Sequence, residues 1–231
     1  GLVGSEMCIR DRVSVFDSYI ERLRKNIDFG DFSVVWDTGN GAAGPAVDAL
    51  VTGMSGTHKT LFTDVDGRFP NHHPNPVDPG TLKLLNEQVH SAGAECGIGF
   101  DGDGDRIGVI DKTGRQVSGD LLTAFLSLDI LDRHKGAEIL FDVKSSSTAL
   151  DIVRHAGGKP HLWRTGHSHM KKRLKELGAP LAGEMSGHIF IADDFYGFDD
   201  ALYVACRFLS RLTHMKPVSY THLTLPTRCL G

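Results

Sequence analysis

Asp101-Gly102-Asp103-Gly104-Asp105-Arg106 places three carboxylates on alternate residues, spaces them with glycine and follows them at once with an arginine. Alternate side chains of an extended segment project to one side, and three like charges held there raise one another's pKa unless a hard cation neutralises them. The glycines give the backbone freedom to fold closely round an ion that takes oxygen ligands in octahedral array. The spacing therefore points to Mg2+, with Asp101, Asp103 and Asp105 as ligands. Apolar runs flank the loop, Cys96-Gly97-Ile98-Gly99-Phe100 before and Ile107-Gly108-Val109-Ile110 after, and predict two strands joined by it. A solvated turn is the ordinary reading of a lone Asp-Gly-Asp, but a third aspartate argues against it. A calcium EF-hand loop needs glycine at its sixth position and glutamate at its twelfth; Arg106 and Lys112 stand there and exclude it.

Upstream, Val15 to Lys25 carries a helical stripe at Val15, Phe16, Tyr19, Ile20 and Leu23. Phe32 to Trp36 reads as a buried strand that delivers Asp37 to Pro45, a glycine-rich turn, into a helix through Val51. Such a turn either presents backbone N–H groups to an anion or serves close packing. Thr60 to Val65 predicts a further strand, and Pro79 to Gly93 a helix. His72-His73 lies in an aperiodic loop, with no His or Cys at a ligand spacing nearby, and reads as structural.

Downstream, Asp111-Lys112-Thr113-Gly114 is a turn signal, and the domain boundary is placed near Arg115. Gly119 to His134 predicts a largely buried helix. Ile139 to Val143 predicts a strand ending at Lys144, and Pro160 to Arg164 another that leads to His167. The basic helix Met170 to Leu177 reads as a solvated face. Gly183-Glu184-Met185-Ser186-Gly187-His188 repeats the alternation of the acidic loop, so Glu184, Ser186 and His188 are expected on one edge: an acceptor, a hydroxyl and an imidazole suited to vicinal sugar hydroxyls. Ligands sit at the carboxyl ends of α/β strands, so Lys144, His167 and this trio are expected to converge on one ligand.

The flanks read differently. Met7 to Asp11 can be written as codons whose reverse complement encodes Val-Ser-Tyr-Thr-His, the sequence at Val218 to His222. Residues 1–12 and 217–231 resemble translated sequencing adapters and are expected not to be native, leaving 13–115 and 116–216 as two units. The chain has 25 Lys and Arg against 29 Asp and Glu, and offers no basic stripe to nucleic acid or an anionic membrane. Outside the flanks only Cys96 and Cys206 remain, each among apolar neighbours, which suits a reducing cytoplasm. No apolar run is long enough to cross a bilayer.

Taken in this order, the motifs resemble the α-D-phosphohexomutases, specifically the bacterial phosphomannomutase/phosphoglucomutase branch, through nearly all of Val13 to Lys216. The resemblance implies an α/β fold of two consecutive α/β/α-layered domains with mixed sheets, the family's second and third of four. It implies a metal loop at Asp101, Asp103 and Asp105 with Arg106 as the adjoining active-site arginine, sugar recognition by Glu184, Ser186 and His188, and phosphosugar contacts from Lys144 and His167. Met185 is similar to the glucose/mannose branch, where the glucosamine branch usually has glutamine. The implied reaction is reversible phosphoryl transfer between the 1- and 6-hydroxyls of glucose or mannose phosphate, through a phosphoserine and a bisphosphate, in a monomeric cytoplasmic enzyme using Mg2+. Arg106 would orient the transferring group and His188 would move the hydroxyl proton. The family's serine loop, similar to Thr-Ala-Ser-His-Asn-Pro, occurs nowhere in these 231 residues, so the chain alone is expected to lack turnover. Two other readings stand beside this one: a non-catalytic sugar-phosphate binding module, and a Mg2+-dependent phosphatase with Asp101 as nucleophile.

Overall fold

The computed structural model describes residues 14–214, and both adapter-like flanks, 1–12 and 217–231, lie outside the described residues. Two mixed sheets carry the chain, the first of five strands in the order β2-β1-β3-β4-β5 and the second of four in the order β7-β6-β8-β9.

Period-2 alternation builds the first sheet. In β1 (Phe32–Asp37), Val34 and Trp36 face a core shared with α1 (Phe16–Arg24) and α2 (Gly44–Val51). Val35 faces the other way, onto Leu82, Leu85 and Val89 of α3 (Leu82–Ala92). Glycine does what no larger residue could in β3 (Cys96–Phe100): a Cβ on Gly97 would lie within 2.9 Å of Ile110, Val89 and Leu85 side-chain carbons, so α3 packs directly on the backbone. β4 (Ile107–Asp111) returns antiparallel to β3, and β5 (Gln116–Val117) continues the same sheet.

The strand expected at Thr60 to Val65 is instead β2, Gly56–Leu61, parallel to β1. Phe62 stops it, with a left-handed φ of 57° that turns its carbonyl toward Thr38 Oγ1 (2.8 Å) and the Asn40 N–H (2.9 Å). The polar Thr57, His58 and Lys59 of this edge strand hide the alternation that sequence reading relies on. The glycine turn after β1 is a packing device: a Cβ on Gly41 would come 2.8 Å from the carbonyl oxygens of Asp101 and Gly102, and one on Gly44 would come 2.0 Å from that of Thr63. Gly41 thereby holds the acidic loop against the head of α2.

In the second sheet, β6 (Glu138–Asp142) is flanked by β7 (Lys159–Trp163) and β8 (Leu181–Gly183), both parallel to it, and β9 (Ile189–Ile191) runs antiparallel to β8. Leu140, Ala182 and Phe190 pack on Met170 and Leu174 of α6 (His167–Leu177), which begins three residues earlier than its apolar stripe suggests. Ile139, Phe141 and Ile189 point to the opposite face, covered by α4 (Gly119–Arg133), α5 (Ser147–His155) and α7 (Ala201–Thr213).

Helix α7, which the sequence reading did not identify, sits between the sheets: buried Leu202, Tyr203, Cys206 and Phe208 join a single core that reaches Trp36 and Val109 on one side and Phe141 and Ile189 on the other. Each such fully buried side chain contributes about 1.5–3 kcal/mol. The Asp200 side chain caps this helix by accepting the Tyr203 N–H (2.9 Å) and also accepts the Tyr19 hydroxyl (3.0 Å), fastening α1 to α7.

His72 is structural, as its spacing suggests. Its Nε2 lies 3.0 Å from Asp37 Oδ2 and its Nδ1 3.1 Å from the His73 carbonyl, a pattern that suits two N–H donors. The Asp37 bond outweighs desolvation and raises its pKa.

Two predictions follow from these contacts. Gly44→Ala should lower unfolding free energy by about 1–3 kcal/mol in urea titrations, because the new methyl meets backbone, whereas Gly67→Ala, with open space around it, should change it by less than about 0.5 kcal/mol. A histidine with a raised folded-state pKa stabilises fully below its unfolded value of about 6.5 and loses that contribution as pH rises through the folded value. Stability measured across that range should therefore fall as pH rises, and His72→Gln should flatten the slope; an unchanged slope refutes the assignment.

Candidate active site

The acidic loop is not an extended strand. It curls round Asp101, whose Oδ1 accepts N–H groups from Gly104 (3.0 Å), Asp105 (3.1 Å) and Arg106 (3.1 Å), while Oδ2 accepts Arg106 Nε at 2.6 Å. Gly104, at φ 78°, makes the curl possible. The curl, rather than strand alternation, gathers the three carboxylates, and each offers an oxygen within 4.8 Å of the others. Asp101 is only 2% exposed. Burial works against its charge, but Arg106 and the backbone donors hold its pKa below the ordinary range. Asp105 is pushed the other way, up to about 6, by burial and then by its carboxylate neighbours.

The Glu184 to His188 segment is likewise a tight turn rather than an extended edge. It is closed by the Glu184 N–H donating to the His188 carbonyl (2.9 Å) and the Gly187 N–H donating to that of Glu184 (3.1 Å). Buried Glu184 ties the turn to the β7–α6 loop: Oε1 accepts the Gly166 N–H (2.9 Å) and Oε2 accepts Ser186 Oγ (3.0 Å). Thr165, next to Gly166, donates to Asp142 Oδ2 at 3.2 Å, and the Lys144 ammonium lies 3.8 Å from the same oxygen. Lys144 is 56% exposed and free to reach a ligand. His167 stacks on His188, with centroids 5.8 Å apart, and Phe190 also stacks with His188, at 6.4 Å.

The two loops meet. Arg106 and His188 form an antiparallel β-bridge, and the Ile107 N–H donates to the Gly187 carbonyl (3.1 Å). His188 Nδ1 then lies 3.6 Å from Asp105 Oδ1. All the residues singled out from sequence, Asp101, Asp103, Asp105, Arg106, Lys144, His167, Glu184, Ser186 and His188, are thus joined in one continuous constellation at the strand ends.

Two participants escaped the sequence reading. Asp199, just before α7, places Oδ2 3.1 Å from His188 Nδ1 and accepts Lys171 Nζ at 3.0 Å through Oδ1. Lys171 is therefore not part of a merely solvated face, although Lys172 and Lys175 on the same helix are exposed. Burial opposes the charges of this pair. Even so, His188 and Lys171 hold Asp199 down at about 2, and Asp199, Asp105 and Glu184 raise the pKa of His188. The only cue to Asp199 was the Asp199-Asp200 pair ahead of an apolar run, which signals a helix cap and says nothing of a site 11 residues upstream in sequence.

Because Glu184 accepts the part-buried Gly166 N–H and is itself buried, Glu184→Ala should cost about 1–3 kcal/mol in chemical denaturation. Glu184→Gln retains an acceptor and should recover at least half of the loss; equal costs for the two variants would show that the bond contributes nothing.

Residues 17–114 match the family description phosphoglucomutase/phosphomannomutase, alpha/beta/alpha domain II, and residues 118–227 match its domain III. A phosphomannomutase/phosphoglucomutase of Pseudomonas putida is 44% identical over 204 residues, 88% of this chain and 44% of that protein. A phosphoglucomutase of Neisseria meningitidis is 42% identical over 177 residues, 77% of this chain and 38% of that protein. The crystal structure of a phosphoglucomutase/phosphomannomutase family protein from Burkholderia thailandensis superposes with a TM-score of 0.85 at 43% identity, covering 89% of this chain and 45% of the other. The chain thus spans less than half the length of the relatives it matches, and over that length it belongs to the phosphoglucomutase/phosphomannomutase family.

Proposed function

We propose that this chain is the metal-binding and sugar-recognising portion of a phosphohexomutase that interconverts hexose 1-phosphate and hexose 6-phosphate, with glucose or mannose as the sugar. The observation that carries the reading is the seating of the acidic loop against the sugar turn, with His188 Nδ1 3.6 Å from Asp105. It brings a cation site and a set of hydroxyl-binding groups to one cleft, as phosphoryl transfer to a sugar hydroxyl requires.

The acidic loop fits Mg2+: its free donors are carboxylate oxygens, and the crowding that raises Asp105 is what a hard dication would relieve. Asp101, Asp103 and Asp105 would hold the ion, which when bound neutralises charge on the transferring phosphoryl group. Arg106 is already oriented by Asp101 through Nε, with Nη1 3.4 Å from Asn75 Oδ1, and would turn its remaining donors to the same charge. Glu184 and Ser186 accept and donate to sugar hydroxyls, Lys144 and His167 bind the phosphate that is not transferred, and His188 exchanges the hydroxyl proton. The phosphoserine would come from chain beyond these residues. Residues 13–115 and 116–216 are taken as the family's second and third domains, working in a reducing cytoplasm where buried Cys96 and Cys206 stay as thiols. Among the described residues no helix is long and apolar enough to cross a membrane.

The phosphatase reading gives no role to the turn at Glu184, Ser186 and His188 that lies against the acidic loop, whereas the mutase reading uses it.

Calorimetric titration of the purified chain with glucose 1-phosphate or mannose 1-phosphate in Mg2+ should show binding that Lys144→Ala weakens at least tenfold with unchanged stability. Undiminished binding in that variant removes Lys144 from the phosphate site. A coupled assay with a bisphosphate activator should give no glucose 6-phosphate above a metal-free blank, and product above that level would overturn the assignment of the serine to another part of the protein.

A further inference from the structure

The acidic loop is not the only ligand cluster in the cleft. Asp105, His188 and Asp199 come from three separate elements, and each offers one ligand atom within 4.8 Å of the others. His188 Nδ1 is 3.1 Å from Asp199 Oδ2 and 3.6 Å from Asp105 Oδ1. A tetrahedral centre with metal–ligand distances of about 2.0–2.1 Å has ligand–ligand edges of about 3.3–3.4 Å, whereas octahedral Mg2+ has edges of about 2.9 Å. The observed spacings straddle the tetrahedral value.

A second observation is independent of that spacing. The Asp199 side chain is only 6% exposed, and its Oδ2 faces His188 Nδ1, yet neither atom makes a hydrogen bond of acceptable angle despite the short separation. Buried polar atoms are rarely left so. The surroundings are those of a prepared ligand set. Lys171 donates to the other oxygen of Asp199 at 3.0 Å, which fixes the carboxylate with Oδ2 turned to His188 Nδ1, and the His188 ring stacks with both His167 and Phe190. His167 Nδ1 lies 4.0 Å from Asp199 Oδ2, and water could complete the fourth position.

We propose that Asp105, His188 and Asp199 form a second cation site, distinct from the Asp101/Asp103/Asp105 loop and selective for a borderline divalent metal of the Zn2+ or Co2+ type. An imidazole nitrogen with two carboxylates is a donor set that such ions take and Mg2+ does not favour. Asp105 belongs to both sets, so the two sites share a ligand. Occupation of the second site withdraws Asp105 from the loop and takes up the His188 nitrogen, which makes such a metal an antagonist of the Mg2+-bound form. This site stands on its own geometry, and the mutase reading can fail without it.

Cobalt(II) reports the site directly. Metal-free chain titrated with CoCl2 in millimolar Mg2+ should bind one equivalent and develop the intense visible bands of a four-coordinate centre. His188→Gln and Asp199→Asn, each checked for fold by circular dichroism, should weaken that binding at least tenfold, and Asp103→Asn, which relieves competition from Mg2+, should not weaken it. Binding indifferent to both His188→Gln and Asp199→Asn, binding lost equally in Asp103→Asn, or the absence of the bands would overturn the proposal. Should both variants fail to fold, the wild-type chain decides: His188 ring protons with the large contact shifts of a directly coordinated imidazole support the site, and a ring with through-space shifts alone, or none, refutes it.

Discussion

A short piece of shared backbone pairing, the Arg106–His188 bridge with the Ile107 N–H donating to the Gly187 carbonyl, makes the two sheets act as one site. A backbone bond fixes both segments without depending on any side chain, and it sets the acidic loop and the sugar turn in register with one another. Gly187 is suited to the approach: its φ is 92°, and a Cβ there would sit 2.6 Å from the Ile107 carbonyl oxygen. Every later contact in the cleft, from Asp105 to His188 and from His188 to Asp199, depends on this juxtaposition.

Within the site, buried carboxylates serve as organisers. Asp101 directs five residues of backbone round itself and aims Arg106; Glu184 joins two loops of the second sheet; Asp142 gathers Thr165 and stands beside Lys144; Asp200 clamps α1 to α7. Each is satisfied by backbone donors or a cation, which is how a buried charge is tolerated. The exposed groups at the rim, Asp103 and Lys144 among them, are left to meet a ligand.

Much of this arrangement was legible from sequence because it rests on local pattern. Strands β1, β3, β4 and β6 show as apolar runs, and the two polar loops follow strand ends directly, so their residues could be named before any coordinates. The geometry of those loops was not legible in the same way. Alternation suggested extended segments, while the observed curl round Asp101 and the turn at Glu184 come from backbone hydrogen bonds that residue type alone does not encode. Strand β2 was misplaced because its edge position leaves it polar and Phe62 breaks it with a positive φ. Asp199 was missed for another reason: its role exists only through tertiary contact with His188 and Lys171.

Helix α7 gives the architecture a temporal asymmetry. It is the last described element of the chain, yet its buried face completes the core behind Trp36 and Val109 of the earliest sheet and holds Tyr19 of the first helix. A nascent chain emerging from the ribosome therefore cannot seal its amino-terminal half until residues near 209 have been made. Until then the apolar residues that α1 turns toward α7 lack the helix that covers them.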